Sequence, residues 1–225
     1  MRRILVILAL LAGLAACARP GSDLEELPPP LGRFLLGHVV VVVDNPDKGP
    51  LSREASNEEW KASIERAIRE RFGRYDGDRY FHIAVKLEGY VLAVPGIPVV
   101  AAPKSVMIIT VTIWDDEKGA KINEEPKVFT VMERLSGETF LSSGLTQSKE
   151  QQMLNLSRNA ARMIQAWLLE HPEWFGDAAL MDPATTSPGR PASEVMAQYD
   201  ATAGDTGEDA EGITRPVARP AQPGA

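Results

Sequence analysis

The sequence predicts an α+β domain with the element order β-α-β-β-β-α, a mainly antiparallel sheet and two helices packed on one of its faces. Three observations carry this. A valine-rich apolar run at residues 34–43 opens the domain. Two serine-led capping boxes, Ser56-x-x-Glu59 and Ser148-x-x-Gln151, each precede an apolar stripe at helical spacing. Between these stripes lie β-favouring stretches joined by short turns. Hairpins in succession make the later strands antiparallel, whereas the first strand joins through a helical crossover. The second face of the sheet is left partly polar or available to a partner.

The run FLLGHVVVVV at 34–43 is almost unbroken in apolar character, which predicts a strand buried on both faces or nearly so. Asp44-Asn45-Pro46-Asp47-Lys48-Gly49-Pro50 concentrates turn chemistry and is expected to end it. In the first helix Trp60, Ile64, Ala67, Ile68 and Phe72 share a face, and Gly73 closes the helix. The opposite face interleaves Lys61, Arg66, Arg69, Arg71 and Arg74 with Glu58, Glu59, Glu65 and Glu70. Glu65–Arg69 and Glu70–Arg74 stand at i,i+4, so a solvated, self-paired face is expected rather than a patch for anionic lipid. Residues 80–94 and 105–114 follow as strands, the second carrying Val106, Ile108, Val111 and Ile113. Asp115-Asp116-Glu117-Lys118-Gly119 turns the chain into a strand at 127–135, with a short extended piece at 139–143. The last helix aligns Met153, Leu156, Ala160, Ile164, Trp167 and Leu168, and stops at His171-Pro172.

The ends differ from this core. Met1-Arg2-Arg3 is a positive start, and residues 4–14 are eleven uncharged apolar residues. As a helix they rise about 16 Å, roughly half a bilayer core, which fits a secretory signal and not a membrane span. Residues 17–33 hold four prolines with no helical or strand period and are expected to form a stiff tether. Residues 177–225 carry six prolines, five glycines, eight acids and three bases, with scattered bulky apolar residues. Such a segment is expected to be disordered, with at most a nascent helix at 193–199. The organisation is therefore signal at 1–16, tether at 17–33, domain at 34–176 and acidic tail at 177–225.

Composition narrows the chemistry. The chain has 31 acidic and 24 basic residues and one cysteine, which argues against nucleic acid as a partner and against disulfide or cysteine-rich zinc scaffolds. His38, His82 and His171 are not spaced with carboxylates or cysteine as a metal site requires, so no metal is expected; His38 and His82 fit ordinary strand positions and His171 a helix C-terminus. Asp44-x-x-Asp47 and Asp76-Gly77-Asp78 miss the ligand spacing of a calcium loop and are expected to be turns. No nucleophile elbow, Walker loop or dinucleotide fingerprint is present. No catalytic residue, enzyme activity or cofactor is therefore expected, although a pair of carboxylates meeting in space would leave no trace in sequence.

One stretch stands apart. Residues 89–103 contain no charge, three prolines and two glycines, and the prolines exclude a central strand, so 95–103 is expected to be a long connection. Connections are normally polar and at the surface. An apolar one points either to contact with a partner or membrane through Val94, Ile97, Val99 and Val100, or to a loop folded over the sheet as additional core.

Leu14-Ala15-Ala16-Cys17 resembles the bacterial lipobox. That resemblance implies cleavage before Cys17 and acylation of its thiol and new amino terminus, leaving a mature chain with no thiol and no disulfide. Two or three acyl chains hold a domain at a membrane almost irreversibly, whereas one does not. Ala18 rather than Asp after the cysteine favours, in the enterobacterial sorting pattern, the periplasmic face of the outer membrane over the inner membrane. With this lipobox and tether, the β-α-β-β-β-α order is similar to small Gram-negative envelope lipoproteins, among them the lipopolysaccharide-assembly lipoprotein and auxiliary lipoproteins of ABC-type lipid transporters. The resemblance implies a non-catalytic binding or assembly module, anchored to membrane by lipid and engaging an envelope protein or lipid. The alternatives are a structural link to the cell wall, with the tail as spacer, and an envelope hydrolase built on a carboxylate site.

Overall fold

The computed structural model describes residues 22–94, 105–133, 148–176 and 189–205. Its elements are β1 (Phe34–Lys48), α1 (Asn57–Phe72), β2 (Arg79–Val91), β3 (Val106–Asp115), β4 (Ala120–Lys121), β5 (Lys127–Met132), α2 (Lys149–Leu169) and α3 (Ala192–Asp205). Short 3-10 turns occupy Ser22–Leu24 and Pro172–Trp174. The fold is α+β, as the element pattern requires. β1 pairs parallel to β2, and β2–β3, β3–β4 and β3–β5 pair antiparallel. The expected extended piece at 139–143, and the part of the expected fifth strand beyond 133, lie outside the described residues.

Helix α1 begins where the capping box places it. The Ser56 hydroxyl accepts from the Glu59 amide at 3.1 Å, and the Glu59 carboxylate accepts from the Ser56 amide at 2.8 Å. At the start of α2 the Ser148 hydroxyl accepts from the Gln151 amide at 3.1 Å, which is the serine half of the second expected box. The two helices run side by side in the same direction, Glu59 meeting Lys149 near their starts and Arg71 meeting Gln165 near their ends. Both cover one face of the sheet. The buried set there combines Trp60, Ile64, Ile68 and Phe72 of α1 with Ile83, Val85 and Leu87 of β2. Met107, Ile109 and Val111 of β3 and Leu156, Ile164 and Leu168 of α2 complete it.

The pairing register gives the sheet two poles. β1 and β2 run from Phe34↔Arg79 to Lys48↔Tyr90, while β3 returns from Val91↔Val106 to Phe81↔Asp115. One pole therefore gathers the starts of β1 and β2 and the ends of β3, α1 and α2. An aromatic cluster seals it, with Phe34 stacked on Phe81 at 5.4 Å and edge-on to Phe175 at 5.6 Å. The other pole holds the ends of β1 and β2 and the starts of β3 and the two helices.

Four expectations are corrected. β1 is buried on one face only: Phe34, Leu36, Val39 and Val41 are in the core, but Val40 and Val42 are exposed. An unbroken valine run has no alternation from which to tell the faces apart. β1 also does not end at Asp44. The turn residues make a bulge between Val43 and Asp47, with Asn45 at φ 46, and pairing resumes at Asp47↔Gly89.

The charged face of α1 is solvated only over its first part, at Glu58, Lys61 and Arg66. Glu65–Arg69 forms, but Glu70 pairs with Arg158 of α2 and Arg74 turns inward, leaving Arg69, Glu70, Arg71 and Arg74 buried. The later part of this face is covered by α2 and by parts of the two flanking segments, one expected to be a stiff tether and the other a disordered tail with at most a nascent helix. From the tether, Leu24 and Leu31 pack into the domain. From the tail, 189–205 includes α3, which lies against α1 with Val195 and Met196 buried and Tyr199 under the Arg69 guanidinium at 5.2 Å. A Cβ on Gly73 would meet Arg69 O and Val195 Cγ1, both at 2.7 Å, so glycine is what lets α3 approach.

Candidate binding surface

The face of the sheet without helices is built by the alternate residues of each strand. β1 contributes Val40 and Val42, β2 His82, Ala84, Lys86 and Glu88, and β3 Ile108, Thr110, Thr112 and Trp114. β5 contributes Val128, Thr130 and Met132, and Val128 and Met132 are 59% and 57% exposed, high for such side chains in strands. Register places Met132 beside Val106 and Thr130 beside Ile108, so the aliphatic side chains gather along β3 and β5.

A polar group stands between this strip and Val40 and Val42. Lys86 donates to Glu88 at 2.7 Å, and the Thr110 hydroxyl donates to the other Glu88 oxygen at 3.0 Å. The Lys86 bond, with the Thr110 hydroxyl and the Lys86 charge, holds the Glu88 carboxyl below the usual carboxylate range despite partial desolvation. Near the bulge, Asp47, Lys48, Glu88, Val91, Val106 and Ile108 line a shallow groove of about 410 Å³.

At the aromatic pole the same face carries a row of rings. His38 and His82 lie 4.9 Å apart, Trp114 sits across from His82, and Lys121 Nζ stands 5.9 Å from the Trp114 ring. The His38 amide donates to His82 Nδ1 at 2.9 Å, and His82 Nε2 lies 3.0 Å from Asp116 Oδ1. Nδ1 accepts, so Nε2 carries the proton and donates to the carboxylate. The two histidines thus come together, yet among the described residues no group of three His, Cys, Asp or Glu is arranged to hold a metal ion. His171, expected at a helix C-terminus, lies just past α2, stacks on Trp174 at 4.1 Å and contacts Glu173 through Nδ1 at 3.0 Å.

Other carboxylates serve the structure. Burial raises the Asp115 pKa, but hydrogen bonds from Arg79 and the Lys118 amide, with both cationic charges, outweigh it and hold the group below its ordinary value. Glu59 is lowered by Lys149 and by the Ser56 amide, and Asp78 by Arg33.

Of the sequence-derived contact residues, Val94 lies half-buried just beyond β2. Ile97, Val99 and Val100 fall outside the described residues, as does Cys17. The ends flanking that connection, Val94 and Ser105, emerge at the groove pole, with Ala93 N bonded to Ser105 Oγ at 3.2 Å. The bare-face residues of β2 and β3 were visible in sequence as alternation. His38 beside His82 was not, because only the parallel register of β1 on β2 brings them together. Among the described residues no helix is long and apolar enough to cross a membrane.

No protein-family model matches this chain, and no curated protein matches it. Solved structures do. A DUF330-family protein of Xanthomonas campestris is 11% identical, covers 66% of this chain and 92% of its own length, and gives a TM-score of 0.42. A Chlamydia trachomatis protein is 10% identical over 61% of this chain and 99% of its own, with a TM-score of 0.35. A minor lipoprotein of Acinetobacter baumannii is 14% identical over 58% of this chain and 93% of its own, with a TM-score of 0.26. At these values no residue role or activity is carried from them to this chain.

Proposed function

We propose that the protein is an envelope lipoprotein, acylated on Cys17 and held at the periplasmic face of the outer membrane, that acts as a binding or assembly module rather than as an enzyme. The anchor reading rests on the sequence Leu14-Ala15-Ala16-Cys17 after an apolar run of signal length. The binding reading rests on one observation: both helices pack on one side of the sheet, and the other side leaves Val40, Val42, Ile108, Trp114, Val128 and Met132 exposed. Exposed aliphatic and aromatic side chains beside a hydrogen-bonded polar centre suit a protein or lipid surface with both characters. The uncharged connection containing Val94, Ile97, Val99 and Val100 is a further candidate for this contact on its composition, and its described flanks, Val94 and Ser105, stand at the groove pole.

The test is in-cell photo-crosslinking with a benzophenone amino acid at position 108 or 128, and at position 61 on α1 as control. A discrete adduct from 108 and 128, absent from 61 and lost in a Val128→Lys/Met132→Lys variant of unchanged stability, is expected. No adduct from any bare-face position would overturn the binding reading. For the anchor, Cys17→Ala abolishes acyl labelling and membrane fractionation; a variant still labelled would refute the assignment, and density-gradient separation assigns outer or inner membrane.

A further inference from the structure

Chain outside the sheet and helices docks at one pole. Arg74 Nη1 donates to the carbonyls of Leu24 at 2.8 Å, Glu26 at 2.7 Å and Asp23 at 3.2 Å. Arg71 pairs with Asp23 at 2.8 Å, and Leu24 and Leu31 are buried. The segment that leads into α3 braces the same place. The Arg190 amide donates to Arg74 O at 2.9 Å, its guanidinium to Gly73 O at 3.2 Å, and Ser193 Oγ bonds Glu25 at 2.8 Å. Among the described residues the first of these contacts is made by Asp23, six residues after Cys17.

Six residues span at most about 20 Å when fully extended. From Arg79 to Val91, β2 carries the chain about 40 Å toward the groove pole at ~3.3 Å per residue. A domain inverted on the bilayer would hold Asp23 about 40 Å from the lipid, twice the reach of the tether. The geometry points to the aromatic pole, where Asp23, Arg74 and Arg190 meet, as the surface that faces the lipid headgroups. The groove at Asp47, Lys48, Val91, Val106 and Ile108 is thereby presented on the far, aqueous side. The tether sequence suggested a stiff spacer standing clear of the domain; its described part, docked at this pole, instead makes it an orienting strap. This inference rests on the Cys17 anchor proposed above.

Energy transfer tests it. A coumarin amino acid replaces Lys118 at the aromatic pole or Glu54 at the groove pole, both well exposed. The full acylated chain is placed in phosphatidylethanolamine–phosphatidylglycerol vesicles carrying a headgroup acceptor. Transfer from 118 several-fold stronger than from 54 is expected. Equal transfer, or stronger transfer from 54, would overturn the orientation. A flexible insertion of about 20 residues after position 18 should collapse the difference; persistence of the difference would refute the strap as its cause. If acyl labelling is absent, the lipoprotein reading fails on its own. The orientation is then still decided with Cys17 coupled to a maleimide lipid, because the geometry needs only an anchor at that residue.

Discussion

Arg74→Met measures how firmly the strap is held. Arg74 is 1% exposed, and its Nη1 serves three carbonyls while Nε donates to Arg71 O at 3.3 Å. Burial and the neighbouring Arg71 charge both pull its pKa below the ordinary arginine value, so the site carries a desolvation cost that methionine removes. Against this, hydrogen bonds from a charged donor contribute about 1.5–3 kcal/mol each, and three acceptors sharing one nitrogen do not add in full. Asp23, Glu25 and Glu26 are exposed, so carbonyls freed there regain water. The net loss is about 2–3 kcal/mol, confined to docking of the strap and of the segment leading into α3. Hydrogen exchange reads it directly. The amides of Arg33, bonded to Phe175 O, and Arg190, bonded to Arg74 O, should exchange about 30- to 150-fold faster, while core amides of β2 stay protected. A change below threefold at both amides, or uniform acceleration through the sheet, would refute the local strap.

Further outcomes follow from the same packing. Glu70→Ala strands Arg158, which donates to both Glu70 oxygens at 2.6 and 2.7 Å, and should cost about 1–2 kcal/mol because Arg158 is partly exposed. A double-mutant cycle with Arg158→Ala in urea should return most of that as coupling. Asp115 titrates below its unfolded value, so its contribution is complete above the ordinary aspartate pKa of about 4 and is lost as pH falls through the depressed folded value. Asp115→Asn should therefore flatten the acid limb of a urea-midpoint profile against pH; an unchanged slope there would contradict the Arg79 pairing. Gly73→Ala introduces a Cβ 2.7 Å from Arg69 O and Val195 Cγ1 and should undock α3, seen as loss of exchange protection across 192–200 while α1 stays protected up to its last turn. Retained protection would show that α3 does not depend on that close approach.

The legibility of the fold followed the strength of local physics. Ser56 with Glu59 bonds within one turn, so that helix start was readable without any tertiary knowledge. The β2 and β3 faces were readable because Phe81, Ile83, Val85 and Leu87 alternate with His82, Ala84 and Lys86. β1 was misjudged because valine suits a buried and an exposed strand position equally, and only the lack of a helix over Val40 and Val42 separates them. The bare face was anticipated as a surface, but its rows of partners were not, since cross-strand neighbours depend on register.

Sequence by itself determined the order of the main strands and helices from 34 to 169, the helix starts and the alternation of the central strands, because each is written in residues a few positions apart; the short β4 and the helix α3 were not read from it. Tertiary structure alone decided what became of the charges on α1 and of the two flanking segments. Glu70 has Arg74 four residues away and Arg158 on the neighbouring helix, and local spacing contains nothing to choose between them. The buried choice won because Asp23, Leu24 and Glu26 bring carbonyls that only a long, multiply donating side chain at position 74 can satisfy. Composition marked one segment as a tether and the other as too poor in apolar surface to fold alone; their described parts, 22–33 and 189–205, are ordered because the domain supplies the surface they lack.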